Sequence, residues 1–277
     1  MTSTIQTILI ASDLSERSDR ALRRAMKIAQ TIGANCHVVT VVDSQLPEDL
    51  TNTLVAQSED TLKTQVRDLE GDAKIQVKVG DPLSEISQHA HDIQADLLVL
   101  GVHRPRKFLD FIRETTMERL VKFSDIPVLL VKTLPNADYH TVLAPTAFSP
   151  ACANALKTSQ HIVPNAEVEM LHAVHIPFPG LTGDGPSSEM AKDKKAEAEQ
   201  HATEWAQRFS LNLETIPLTT VTDEIYPALH RKLGTDTYDL VAIGAHTRHS
   251  PSRHVGSFAS ELIRKSTFDL LVAQPAS

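Results

Sequence analysis

The segments ADLLVLG (residues 95–101) and YDLVAIG (residues 238–244) decide the fold, because each is a strand-sized apolar run that ends in glycine. The sequence around each of them also recurs. The further matches are TILIASDLSERSDRAL (residues 7–22) with TVLAPTAFSPACANAL (residues 141–156), and DIPVLLVK (residues 125–132) with FDLLVAQ (residues 268–274). Similar segments that recur in one order indicate an internal duplication, and therefore two domains of one fold.

Each half contains five short apolar runs rich in Val, Ile and Leu, separated by stretches with helical spacing. Continuous apolar runs are typical of parallel strands that are buried on both faces. The pattern predicts an α/β protein with two repeated doubly wound domains, each a five-stranded parallel sheet with helices on both faces. We place the domains at residues 1–134 and 140–277. In such sheets, ligands bind at the carboxyl ends of the strands, where the strand order reverses.

Composition narrows the class of protein. The chain has 277 residues, of which 41% are hydrophobic and 22% charged, and its net charge of −8 argues against nucleic acid or an anionic membrane as a partner. Its two cysteines are too few for a disulfide framework, and its first residues show no leader pattern. The apolar runs are much shorter than a membrane span requires. We therefore expect a cytoplasmic protein.

Several motifs resemble those of the universal stress protein family in its tandem form, over essentially the whole chain. Domains of this family are similar in having an Asp soon after the first strand, here Asp13, and a GDP-type start to the third helix, here Gly80 to Pro82. They also have a Pro before the last strand, here Pro127. The resemblance implies a regulatory or sensing protein of the stress response, with no metabolic reaction of its own.

Nucleotide-binding members of the family carry Gly-x-x-Gly, nine residues, and then Gly-Ser or Gly-Thr after the fourth strand. Such glycines let backbone N–H groups approach a phosphate, and the last pair begins a helix whose N-terminus attracts an anion. The second half keeps Gly244, Gly256 and Ser257, has Thr247 in place of the second glycine, and shortens the interval to eight residues. We expect phosphate contacts at these four residues and at His246.

The base side of the second-half site keeps only part of the family pattern. Val174 is retained where family members contact the base and ribose, but Ala147 stands where Asp13 stands in the first half. An adenine ring can still be held by backbone groups and apolar contacts. The resemblance therefore implies that ATP, if it binds, binds in the second domain.

The first half has the opposite pattern. It keeps Asp13 and Val42 on the base side, and Gly101 and Thr115 on the phosphate side. Its loop, however, has Arg104 and Glu114 in place of glycines, and a carboxylate at Glu114 repels phosphate in a site that water screens poorly. We therefore predict that the first phosphate loop is degenerate and that ATP, if it binds, occupies one site per chain.

Two other functions stay open. An ATP hydrolase or nucleotide-dependent enzyme needs a base and a metal-binding carboxylate near the phosphates, but residues 244–257 include no Asp or Glu. A scaffold that binds no nucleotide is the second alternative, with a metal site built from histidines near strand ends. Those histidines are His172, His175, His246, His249 and His254. Since they lack tight ligand spacing, we predict neither a metal nor catalysis.

The last strand of each half predicts how the halves associate. The runs at residues 128–132 and 270–274 are apolar, and as edge strands they would expose unpaired backbone groups. We therefore expect the halves to pair through these strands as an internal pseudo-dimer. Further association into a homodimer stays open.

Overall fold

The computed structural model describes residues 4–102, 116–176, 188–246 and 255–276. Strands alternate with helices in both halves. The first half comprises β1 Thr7–Ala11, α1 Glu16–Ile32, β2 Asn35–Val42, α2 Glu48–Asp68, β3 Lys74–Val79, α3 Pro82–Asp92, β4 Leu97–Gly101, α4 Thr116–Phe123 and β5 Val128–Val131. The second half comprises β6 Thr141–Pro145, α5 Pro150–Ile162, β7 Glu167–Ala173, α6 Glu189–Phe209, β8 Leu218–Val221, α7 Ile225–Thr235, β9 Leu240–Gly244, α8 Ser257–Lys265 and β10 Asp269–Ala273.

The ten strands of the described residues form one sheet in the order β3-β2-β1-β4-β5-β10-β9-β6-β7-β8. Within each half the neighbouring strands are parallel, which confirms the predicted fold class. The two halves meet where β5 pairs antiparallel with β10, with Leu129 opposite Leu271, as expected for the last strands. In each half the first strand lies between the second and the fourth, so the strand order reverses beside β1 and beside β6.

Successive residues of the central strands enter two separate cores, because side chains alternate across a sheet. Ile8 and Ile10 of β1 pack on the face that is covered by α1, α2, α5 and α6. Leu9 packs on the opposite face, which is covered by α3, α4, α7 and α8. None of the helices in the described part of the chain has the length and apolar character that a bilayer span requires.

The segment between the halves is fixed by one fully buried carboxylate, that of Asp269 at the start of β10. Its Oδ1 atom accepts hydrogen bonds from the backbone N–H groups of Lys132 (2.7 Å) and Thr133 (2.8 Å). Its Oδ2 atom accepts one from the hydroxyl of Tyr139 (2.5 Å). The buried guanidinium of Arg24, on α1, lies 3.7 Å from the same oxygen and 4.0 Å from the centre of the Tyr139 ring. First half, connecting segment and second half therefore share one polar network.

Lys132 fixes the end of the last helix to the first half. Its ammonium group donates to the carbonyl oxygens of Leu262, Ile263 and Ser266 and to the Ser266 hydroxyl, at 2.5–3.3 Å. These are acceptors at the C-terminus of α8, where a positive charge is favourable. Burial lowers the pKa of Lys132 to about 8, although the Asp269 carboxylate opposes that shift.

Replacement of Asp269 tests this network. Asp269→Ala leaves the buried Arg24 cation without its carboxylate and three donors without their acceptor, so we expect the free energy of unfolding to fall by about 3–5 kcal/mol. The measurement is urea denaturation followed by the fluorescence of Trp205. Asp138→Ala is the matched control, because Asp138 forms an exposed ion pair with Lys27 at 3.3 Å. The control loses about 1 kcal/mol or less, and similar losses for the two variants would contradict the role of Asp269.

Candidate functional site

A cavity of about 180 Å³ lies at the carboxyl ends of β6 and β9, where the strand order of the second half reverses. This is the edge at which doubly wound sheets bind ligands. Its walls come from both sides of the sheet. They include Thr146, Ala147, His172, Ile225, Gly244 and Phe258.

One wall is a turn that the chain builds twice. After β6, the Thr146 hydroxyl accepts a hydrogen bond from the N–H of Phe148 (3.1 Å), which has a positive φ of 56°. After β1, the Ser12 hydroxyl accepts from the N–H of Leu14 (3.1 Å), with a φ of 60°. A serine then caps the following helix in both halves. The duplication has therefore kept the backbone of this turn.

Gly244 is required by packing. A Cβ atom placed there would lie 2.7 Å from the backbone nitrogen of Cys152 in α5. Gly101 is under the same constraint, since its Cβ would lie 2.4 Å from the carbonyl oxygen of Arg17 in α1. Each glycine therefore lets the first helix of its half lie against the fourth strand. This packing role accounts for the glycine of the first half without a phosphate.

Gly256 is different, because nothing in the described structure requires a glycine there. Its φ is −62°, which any residue adopts, and an added Cβ would make an ordinary contact of 3.5 Å with the Ala245 carbonyl oxygen. Gly256 immediately precedes α8, and it has no side chain to accept hydrogen bonds from the first N–H groups of that helix. The N-terminus of α8 lies beside the cavity, since Phe258 lines it.

His172 of β7 is held in one orientation at the cavity wall. Its Nδ1 atom lies 2.8 Å from the Thr146 carbonyl oxygen, and its ring stacks on Phe148 at 4.4 Å between centroids. Phe148 in turn contacts Trp205 of α6 at 5.6 Å. Burial lowers the pKa of His172 below its ordinary value, although the Thr146 carbonyl opposes the shift, so the ring is neutral at pH 7.

Only part of the predicted phosphate loop can be placed. The carbonyl oxygen of His246 accepts a hydrogen bond from Ser149, the N-cap of α5 (2.9 Å), which joins the start of the loop to that helix. Ser257 is the first residue of α8. Thr247, His249 and His254 lie outside the described residues.

Comparison with known proteins agrees with this geometry. The model of the universal stress protein family matches residues 4–132 and again residues 138–274. The chain belongs to the universal stress protein family. Among curated relatives, stress response protein NhaX of Bacillus subtilis (strain 168) is 29% identical over 164 residues, which cover 45% of this chain and 96% of that protein.

Solved structures extend the similarity to both halves. A universal stress protein from Archaeoglobus fulgidus DSM 4304 is 17% identical, covers 97% of this chain and 98% of its own, and has a TM-score of 0.70. A structure from Pseudomonas aeruginosa UCBPP-PA14 is 18% identical, covers 99% of this chain and 95% of its own, and has a TM-score of 0.68. At these identities the likeness concerns the fold alone.

In the first half of this universal stress protein, Asp13 forms part of the turn before α1. Its Oδ1 atom accepts hydrogen bonds from the backbone N–H (3.1 Å) and the hydroxyl (2.5 Å) of Ser15. Burial raises the pKa of Asp13, but these hydrogen bonds outweigh burial and lower the pKa below its ordinary value. Thr115 and the rest of the loop that carries Arg104 and Glu114 lie outside the described residues.

The two valines predicted on the base side are buried at strand ends. The carbonyl oxygen of Val42 accepts a hydrogen bond from Gly80 (3.0 Å), and the N–H of Val174 donates to Val221 (2.7 Å). Val174 follows Ala173, which lines the cavity, but it is not among the residues that form the cavity wall. These backbone groups are therefore engaged within the sheet.

The histidine metal site has no support in the described part of the chain, where no group of three or more His, Cys, Asp or Glu side chains could hold a metal ion. His175 pairs instead with Glu224 at 2.9 Å, and both side chains are exposed. His172, one of the histidines in the metal-site alternative, is engaged with Thr146 and Phe148. The sequence placed His172 near a strand end, but its contact with Thr146, 26 residues away in the chain, could not be recognised from spacing.

Two alanine variants test whether packing requires Gly244 but not Gly256. Gly244→Ala places a methyl group against the backbone of α5, so we expect a loss of about 1–3 kcal/mol in the free energy of unfolding, at the upper end because backbone cannot move aside as a side chain can. Gly256→Ala costs about 1 kcal/mol or less, the difference between glycine and alanine at an N-cap. Urea denaturation measures both, and an equal loss would contradict the distinction.

Proposed function

We propose that this universal stress protein is a regulatory or sensing module of the stress response, and that its second half binds one adenine nucleotide, ATP in particular. The observation that carries the proposal is the cavity at the reversal of strand order, with the N-terminus of α8 at its edge. The base would enter the cavity, and the phosphates would lie at Gly256 and Ser257, with Gly244, His246 and Thr247 completing the loop.

The N-terminus of α8 supports the phosphate end of the proposal. A helix N-terminus stabilises an anion by about 0.3–1 kcal/mol at exposed sites and up to about 2 kcal/mol where it is partly buried. Gly256 allows the backbone to approach a ligand closely, although packing in the described structure does not demand a glycine. A role in binding phosphate explains this glycine, whereas packing explains Gly244 and Gly101.

The sequence of the first half argues against a second nucleotide. Glu114 and Arg104 stand where the second-half loop has Gly256 and Thr247. Asp13 and Val42 would still suit a base, but the glutamate would repel its phosphates. We therefore propose a single site per chain, with the first half serving a structural role.

ATP binding can be tested by titration calorimetry on the intact chain. We expect a stoichiometry near one, and we expect Gly256→Glu to weaken binding by two orders of magnitude or more. The reason is that like charges about 4 Å apart repel by about 4 kcal/mol at an effective dielectric constant of about 20.

Gly234→Glu is the matched control for that experiment, since it adds the same charge near the end of α7, where an added Cβ meets no atom within 4 Å. The control should bind ATP as the natural chain does. A stoichiometry near two, or equal affinities of the two glutamate variants, contradicts the proposal.

The protein is expected to hold ATP rather than to turn it over. Residues 244–257 provide no carboxylate for a metal or a base, and the nearby Glu224 is paired with His175. Release of inorganic phosphate from ATP should therefore be slower than about one per second, the lower end of ordinary enzyme turnover. Faster release by the purified natural chain would favour the hydrolase alternative.

A further inference from the structure

The hydrogen bond of His172 determines which of its ring nitrogens carries the proton. A carbonyl oxygen can only accept, so the Nδ1 atom, 2.8 Å from the Thr146 oxygen, must be the donor. In the neutral ring the Nε2 atom then has a lone pair and acts as an acceptor. The two nitrogens point to different sides of the ring, so Nε2 is directed away from Thr146.

The acceptor is fixed in position before any ligand binds. Phe148 stacks on the imidazole with an angle of 28° between the rings. Trp205 packs against Phe148, and its own Nε1–H donates to the Ser149 carbonyl oxygen (3.0 Å), which ties α6 to the start of α5. Ring rotation would break both the stack and the hydrogen bond to Thr146. A preorganised acceptor loses little entropy when a ligand donates to it.

The two halves place their acceptors differently. In the first half, Asp13 provides a carboxylate after β1, and Thr40 occupies the position on β2 that corresponds to His172. In the second half, Ala147 occupies the position that corresponds to Asp13 and has no carboxylate, while His172 provides a ring nitrogen on the neighbouring strand. In the second half the candidate acceptor therefore lies on β7, at a residue that lines the cavity, and not in the turn after the first strand.

The size and lining of the cavity suit one ring system. Its volume of about 180 Å³ is smaller than the roughly 300–1,000 Å³ of pockets that enclose a whole drug-sized ligand. Ala147, Ile225 and Phe258 give it apolar walls. A heterocyclic base that enters it loses water, so its polar edge needs a partner of the right kind.

We propose that His172 is the specificity-determining residue of the second-half site, and that its Nε2 atom accepts a hydrogen bond from the exocyclic amine of a bound 6-aminopurine. This inference rests on the proposed nucleotide site. A 6-oxopurine presents a carbonyl oxygen at the same place, and two acceptors that face each other leave both without a donor. Sites that hydrogen-bond a substrate group discriminate against ligands that cannot make the bond.

The test compares ATP with ITP, which differ at this purine position, by calorimetry at pH 7.5. The natural chain should bind ATP at least ten-fold more tightly than ITP. His172→Phe keeps an aromatic ring for Phe148 but removes the acceptor, so the ratio of the two affinities should fall to near one. His172→Gln retains an acceptor, and its ratio should stay within about three-fold of the natural chain.

The pH provides a readout that a purely structural role of His172 would not change. Protonation converts Nε2 from an acceptor into a donor, so the preference for ATP in the natural chain should decrease as the pH falls from 7.5 to 5.5. In His172→Gln the preference should be independent of pH over that range.

The titratable groups that bear on His172 are His201 of α6 and the thiol of Cys152 on α5, which lines the same cavity. The neighbouring residues on either side are Thr146, which follows β6, and Thr220 of β8, and a threonine hydroxyl does not titrate in this range.

The outcomes separate this inference from the proposed function. If the natural chain binds ATP and ITP with equal affinity, the proposed role of His172 is wrong and the nucleotide site stands. This comparison uses only the natural chain, so it does not depend on whether a variant folds. If ATP binds preferentially but His172→Phe keeps the same ratio, another group selects the base and the inference is again overturned. If neither nucleotide binds, the site and the inference fail together.

Discussion

The buried carboxylate of Asp269 accepts hydrogen bonds from Lys132, Thr133 and Tyr139 and lies beside Arg24. A charge in the middle of a sheet is costly unless donors and a counter-ion surround it. Here they come from the first half and the connecting segment, so the carboxylate is satisfied only when the two halves are joined as observed. The apolar strands β5 and β10 provide the area of contact. Asp269 also requires hydrogen-bond donors and a cation around its buried carboxylate, and few other arrangements of the halves would supply them.

This junction also determines the position of the helix at the candidate site. The C-terminus of α8 is held by Lys132 of the first half. Its side is held by Arg264, which donates to the buried Glu118 of α4 at 2.7 Å. The N-terminus of the same helix lies at the cavity of the second half. The first half therefore contributes to that site by fixing the direction of α8, even though its own loop carries a glutamate in place of glycine.

Duplication has preserved the backbone and changed the chemistry. Both halves keep the turn after the first strand and the glycine that lets a helix approach the fourth strand. The side chains that would meet a ligand differ. Ala147 corresponds to Asp13 and His172 to Thr40. Similarly, Asp269 corresponds to Pro127, so the residue that holds the halves together is itself a departure from the repeat.

The sequence by itself determined the α/β class, the duplication, the five parallel strands of each half and the pairing of the last strands, because these follow from local periodicity and from the order of similar segments. The family motif also marked Gly244 and Gly256, and a position near a strand end marked His172. The sequence could not tell that Gly244 serves packing while Gly256 does not, nor that Asp269 is satisfied by donors more than a hundred residues away in the chain. Nor could it assign the acceptor nitrogen of His172. Those properties depend on distances between atoms of different strands and helices, and such distances exist only once the chain has folded.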